Sequence, residues 1–284
     1  MTRRHPTPRR RWTGYLLTLW ILLTANFLLP RLLPGDPLSA LLDPENADYV
    51  FDAEVRAALE TYYGLDRPLA AQYAHYLKGA VTGDLGRSIL LNRPVSELIL
   101  AHLPWTLLLT LTALGVAALI GLVAGVQAAW RRGSWTDSML TTAGVVLGNA
   151  PVYFVGMMLL IFFAVKLRWL PLAGGRTPFA RYATMGAAAL DLGRHLLLPA
   201  LTLVLTLAGN QYLLVRNSMV TVLDADFMLV ARAKGLSPHR LKWRHGLRNA
   251  MVPFVAHLAA HAGLAITGAV FIETLFDYPG MGQL

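Results

Sequence analysis

The chain has 284 residues, 55% of them hydrophobic and 14% charged, with a formal net charge of +9. Soluble globular proteins carry about 25% charged residues, so this composition, with a mean hydropathy of +0.48, excludes an ordinary water-soluble domain and points to a membrane. The absence of cysteine excludes disulfides and thiolate metal sites. The excess positive charge comes with no aromatic-and-basic sheet motif or recognition-helix pattern, so nucleic acid is not an expected partner.

Residues 1–11 form a basic tail (Arg3, Arg4, Arg9, Arg10, Arg11), expected in the cytoplasm by the positive-inside rule. The first apolar run, Trp12–Pro30, follows directly. A basic stretch before an apolar one also describes a signal peptide, but Leu29-Pro30-Arg31 is a poor cleavage site, so residues 1–30 read as a tail and a retained first span. Residues 31–103 are too polar to stay in lipid, with ten acids (Asp36, Asp43, Glu45, Asp48, Asp52, Glu54, Glu60, Asp66, Asp84, Glu97) against six bases (Arg31, Arg56, Arg67, Lys78, Arg87, Arg93). The lack of positive excess suits an external side. Ala53–Tyr63 reads as an amphipathic helix closed by Gly64, and Pro68–Val81 as a second helix ending at Gly83. Together they predict a small external helical subdomain.

Residues 104–284 read as the membrane core. Four further runs free of Asp, Glu, Lys and Arg are long enough for the roughly 20 residues a span needs: Pro104–Ala129, Ser138–Val165, Leu196–Val215 and Met251–Ile272. Arg131-Arg132 marks a short cytoplasmic turn after the second. The third contains Gly148-Asn149-Ala150-Pro151, either a structural kink or a bend at which Asn149 and Pro151 line a pathway. The fourth carries Asn210-Gln211, polar groups that serve as interhelical glue or as pathway lining. The fifth carries His257 and His261, one helical turn apart on one face. They are packed or interface histidines, or contacts for a metal or a substrate. No carboxylate or thiol inside a span joins them, so no metal site is assigned.

The stretch that ties the core together is the basic loop 216–250, above all Asp224–Pro253. Arg216, Arg232, Lys234, Arg240, Lys242, Arg244 and Arg248 place it in the cytoplasm. Asp224 suits a helix N-cap. Phe227, Val230 and Ala231 share an apolar face. Gly235 suits a left-handed helix terminus, and Ser237-Pro238 an N-cap followed by Pro at the first helical position. The pattern predicts a helix–Gly–helix elbow.

This loop, with Ala231-Arg232-Ala233-Lys234-Gly235-Leu236 and Arg248-Asn249-Ala250 to Pro253, resembles the cytoplasmic "EAA" loop of ABC-importer permeases. It is most similar to the dipeptide, oligopeptide and nickel branch. Pro34-Gly35-Asp36-Pro37, Tyr63-Gly64-Leu65-Asp66, Pro68-Leu69, Gln72-Tyr73, Gly83-Asp84-Leu85-Gly86 and the ending Glu273-Thr274-Leu275-Phe276-Asp277-Tyr278-Pro279-Gly280-Met281-Gly282 resemble the same branch. The family's name-giving Glu would fall near Leu229. The resemblance implies an all-α polytopic transmembrane bundle of the type I ABC importer permease fold. One more span is expected after Leu284. It also implies a non-enzymatic subunit in a bacterial inner membrane with a cytoplasmic N-terminus, a translocation pathway for peptides or, alternatively, nickel, and no cofactor of its own. ATP and Mg are expected on two separate ATPase subunits, beside a second, similar permease and an external solute-binding protein. Asp226, Ala231, Ala233 and Gly235 are expected to shape the docking elbow. Arg232 and Lys234 are expected to pair with acidic groups on the ATPase or with anionic lipid.

The chain itself has no Gly-Lys dipeptide and so no phosphate-loop lysine. An ion-coupled secondary transporter would place ionisable residues within its spans, and an intramembrane enzyme would show a metalloprotease helix or nucleophile elbow. The sequence has neither feature.

Overall fold

The computed structural model describes residues 8–32, 57–58, 60–62, 64–88 and 90–284. These residues are helices and turns. Among them there is no strand, only an isolated bridge between Arg87 and Pro94. The chain divides into two units, Met1–Leu100 and Ala101–Leu284.

In the first unit, α1 (Pro8–Leu32) carries no charged residue from Trp12 to Pro30 and is largely exposed there, as a helix facing lipid should be. Its C-terminal half is held against α2 (Leu69–Thr82). Phe27 packs between Tyr73 and Tyr76 with ring centroids 5.1 and 5.5 Å away. The Arg31 guanidinium lies 3.7 Å over the Phe27 ring and donates to Gln72 at 3.0 Å. Gly83, with φ of 80°, closes α2 where the sequence places its end. The helix expected over Ala53–Tyr63 lies largely outside the described residues, as does Pro34–Pro37.

In the second unit the long helices are α3 (Val95–Trp130, entering from the first unit), α6 (Met185–Leu223) and α8 (Leu247–Leu275). Each runs past the bounds drawn from the apolar runs. At 1.5 Å per residue a 39-residue helix such as α6 is about 58 Å long, against about 30 Å of hydrocarbon. Pro104, Pro199 and Pro253 lie inside helices instead of ending them, as membrane neighbours permit.

The third apolar run is not one helix. α4 (Trp135–Asn149) and α5 (Val152–Leu159), the latter continued by a π-helical turn at Leu160–Lys166, meet at 102°. Pro151 lacks an amide proton and pushes Ala150 out of the helical region, to ψ of 136°. Either half, at about 22 Å, is shorter than the hydrocarbon core. A kinked continuous span over Ser138–Val165 is therefore corrected to a broken pair.

Three apolar clusters hold the unit together. One joins Leu109 and Ala113 of α3 to Leu198 and Leu203 of α6, Ile272 of α8, and Phe276 and Tyr278 beyond it. A second joins Val126 and Ala129 to Val215, Met219 and Phe254. A third, of Met228, Ala231 and Leu241, closes the loop between α6 and α8. α4 and α6 approach so closely that a Cβ at Gly209 would stand 2.3 Å from the Gly144 carbonyl oxygen.

Candidate coupling elbow

Between α6 and α8 the chain forms a short helix, α7 (Asp226–Ala233), a turn at Gly235, and a second arm that starts at Pro238 and passes through a π-helical turn at Arg240–Gly246 into α8. Gly235 has φ of 74°, the left-handed backbone that a Cβ disfavours. Ser237 accepts the Leu241 amide at 3.0 Å through its carbonyl, opening the second arm as the Ser-Pro pair predicts. The N-cap position of α7 is Ala225, not Asp224. Asp224 instead pairs with Arg132 at 3.0 Å, both well exposed. The hydrogen-bonding carboxylate is one residue too far from the helix start to cap it.

The elbow has its own interior. Met228, Ala231 and Leu241 are buried against Trp130 at the end of α3 and Leu223 at the end of α6. Ala231 therefore fills the elbow's core, while Asp226, Arg232, Ala233, Lys234 and Gly235 stay at or near the surface. Arg232 reaches back to the Leu223 carbonyl at 3.4 Å. The outer face of α7 presents Phe227, Leu229 and Val230, with Leu229 68% exposed. The result is a compact basic knob with an apolar outer face.

Beside it, α4 and α6 are joined by a buried ion pair. Asp137, 3% exposed, accepts from Arg216 Nε at 2.5 Å and Nη2 at 2.7 Å, and from the Gly133 amide at 3.0 Å. Sequence reasoning missed this pair. Its signal was present: Asp137 and Arg216 lie one residue outside two predicted spans, with opposite charge.

Asn149 and Pro151 stand at the break between α4 and α5. Asn210 meets them there, its Nδ2 donating to the Gly148 carbonyl at 3.4 Å. Gln211 instead turns inward and is buried, its Cβ 2.6 Å from where a Cβ at Gly121 would lie. His261 contacts His257, the rings stacked with centroids 3.7 Å apart and Nδ1 of His261 3.1 Å from the His257 carbonyl oxygen. The break gathers Asn149, Pro151 and Asn210, whereas Gln211 is packed between helices.

At the ends of α6 and α8 away from the elbow, two carboxylates organise loops. Asp191 accepts from the Thr177 amide and hydroxyl at 2.9 and 2.6 Å and from the Tyr182 hydroxyl at 2.6 Å. Glu273 is fully buried. Its Oε2 accepts the Gly282 amide at 2.8 Å, and its carbonyl accepts the Tyr278 amide at 2.8 Å. The turn it holds is pinned to α3: the Met281 amide donates to Thr106 Oγ1 at 2.8 Å, and Trp105 stands edge-on to Tyr278 at 5.6 Å. Burial, helped by the Glu273 charge, pushes the Tyr278 hydroxyl up to about 12.

Residues 117–284, which carry the elbow, the broken helix pair and the Glu273 turn, match the family model of the binding-protein-dependent transport system inner membrane component. The chain belongs to that family. It is 38% identical over 275 residues to the glutathione transport system permease protein GsiC of Escherichia coli O6:H1, covering 97% of this chain and 83% of that protein. The Salmonella typhimurium GsiC gives the same identity and coverage, and the Escherichia coli strain K12 protein is 37% identical. The protein is thus a multi-pass inner-membrane permease of the ABC-importer type, as the loop and turn motifs imply. The permease's relatives are transport subunits of multi-component systems, which accords with a subunit that is not itself an enzyme.

Proposed function

We propose that the permease forms part of the translocation pathway for small peptides and takes its driving force from a separate cytoplasmic ATPase that grips the elbow. The observation that carries this reading is the construction of the elbow: a basic knob with its own core, fastened to the ends of α3 and α6, whose outer face is apolar at Phe227, Leu229 and Val230. Exposed apolar side chains beside Arg232 and Lys234 suit a groove with an apolar floor and an acidic rim. The positive-inside rule puts this end, and the N-terminus, in the cytoplasm. The break at Asn149–Pro151, joined by Asn210, is the pathway element proposed from the bundle. His261 joins it as a candidate on α8.

The assembly proposed is this chain, a second similar permease, two ATPases that bind ATP and Mg, and an external solute-binding protein. Peptide cargo is the proposal, supported by relatives that are named for glutathione transport. The test is substitution of Gly235 by Val. A side chain at φ of 74° costs roughly 1–2 kcal/mol and distorts the knob without touching the bundle. The ATPase is expected to co-purify less well with G235V, and uptake of a labelled glutathione probe to fall while the permease still inserts. Unchanged co-purification and uptake would count against the reading.

A further inference from the structure

Lys242 is a buried cation where its neighbours are exposed. It is 8% exposed, while Arg240 and Arg244 on the same turn face outward. Its Nζ donates to Oε1 of Gln127 on α3 and lies 5.0 Å from the centroid of the Trp243 ring. Among the described residues it forms no ion pair. Burying an ammonium group without a carboxylate is unfavourable, and solubility is already served by the flanking arginines. The turn is π-helical, with the Leu247 amide donating to the Lys242 carbonyl. The extra residue in such a turn swings the following register by about 100°. At the start of the turn Leu241 enters the elbow core and Lys242 points to α3. Gln127 and Trp130 lie three apart on α3, on one face. The elbow therefore meets α3 at an apolar contact and, one turn away, at a polar one.

We infer that Lys242 is a positioning residue for coupling: its hydrogen bond to Gln127 fastens the elbow's second arm to α3, so that a displacement of α7 is delivered to α3 instead of bending the arm. The inference rests on the coupling reading above. An apolar contact alone permits sliding, whereas a directional bond to one amide oxygen sets the register.

The chain has no cysteine, so two can be introduced at exposed positions, His239 on the arm and Val123 on α3, and spin-labelled in the intact transporter. In the otherwise native chain the distance distribution between them is expected to stay the same when ATP and vanadate are added. In K242M, and separately in Q127L, it is expected to shift or broaden by about 2 Å or more, the scale of helix displacements at interfaces. The swapped pair K242Q/Q127K is expected to restore the native behaviour. Unchanged distributions in both single variants, or a shift that the swap does not reverse, would overturn the inference. If K242M does not assemble, Q127L decides, since Gln127 is exposed. Failure of the coupling reading looks different: no ATPase co-purifies with the native chain.

Discussion

The turn after α8 makes a sharp demand on Gly280. A Cβ built there would stand 2.2 Å from both Cδ and Oε1 of Glu273 and 2.5 Å from Oε2. Ordinary contact is about 3.5 Å, so Gly280→Ala drives a methyl more than an ångström into a carboxylate. Glu273 has no room to retreat: it is fully buried, and Oε2 is held by the Gly282 amide at 2.8 Å. Overpacking costs about 1–3 kcal/mol, and losing a hydrogen bond to a charged group about 1.5–3 kcal/mol more. The sum, about 2.5–6 kcal/mol, corresponds to a fall of roughly 5–25 °C in melting temperature for a unit of this size. The assay is thermal unfolding of the detergent-solubilised permease followed by tryptophan emission, to which Trp105, packed on Tyr278, contributes. The decisive arm is the double variant. Glu273→Ala removes the obstacle, so E273A/G280A should be more stable than the two single effects predict, with an interaction energy of about 2 kcal/mol. Native-like melting of G280A, or strict additivity in the double variant, would refute the claim that the glycine is there to admit the carboxylate.

Other expectations follow from the same contacts. Asp137→Asn leaves Arg216 partly buried without its carboxylate and should destabilise the unit by about 3 kcal/mol, read as a lower melting temperature. D137N/R216M should recover part of the loss. Phe27→Ala should cost about 3 kcal/mol within the first unit, and a disulfide trap between engineered cysteines on α1 and α2 should then form less efficiently. Because the hydroxyl of Tyr278 ionises near 12 in the folded protein and about 10 when unfolded, the folded state favours the neutral phenol. Its contribution is complete below pH of about 10 and is lost as pH rises toward 12. Tyr278→Phe should therefore flatten the alkaline end of the stability profile, and an unchanged profile would argue that another group controls it.

What the sequence made legible was what local chemistry dictates. Uncharged apolar runs located the membrane helices because a bilayer admits little else. Gly235 and Ser237-Pro238 located the elbow because each residue suits one backbone state. The same local logic erred where neighbours decide. Pro104, where the second apolar run was drawn to begin, sits inside a helix, and Pro151, which looked like a kink, separates two helices at 102°. Asp224 had the right side chain for a cap but stands one residue too early, against Arg132. Lys242 was indistinguishable from the arginines beside it, since its partner Gln127 is 115 residues away in the chain. Glu273 was visible as part of a motif, but the reason glycines follow it emerged only from the distance between carboxylate and backbone.

The length of α6 has a mechanical consequence. One end of this helix bears the elbow, and near the other Asp191 clamps the loop at Thr177 and Tyr182. A rigid rod of about 58 Å that tilts by about 10° moves one tip relative to the other by about 10 Å. On the coupling proposed above, a tilt about the middle of α6 would carry its two ends in opposite directions by about 5 Å each, close to one helical turn, with no need for the helix to unwind.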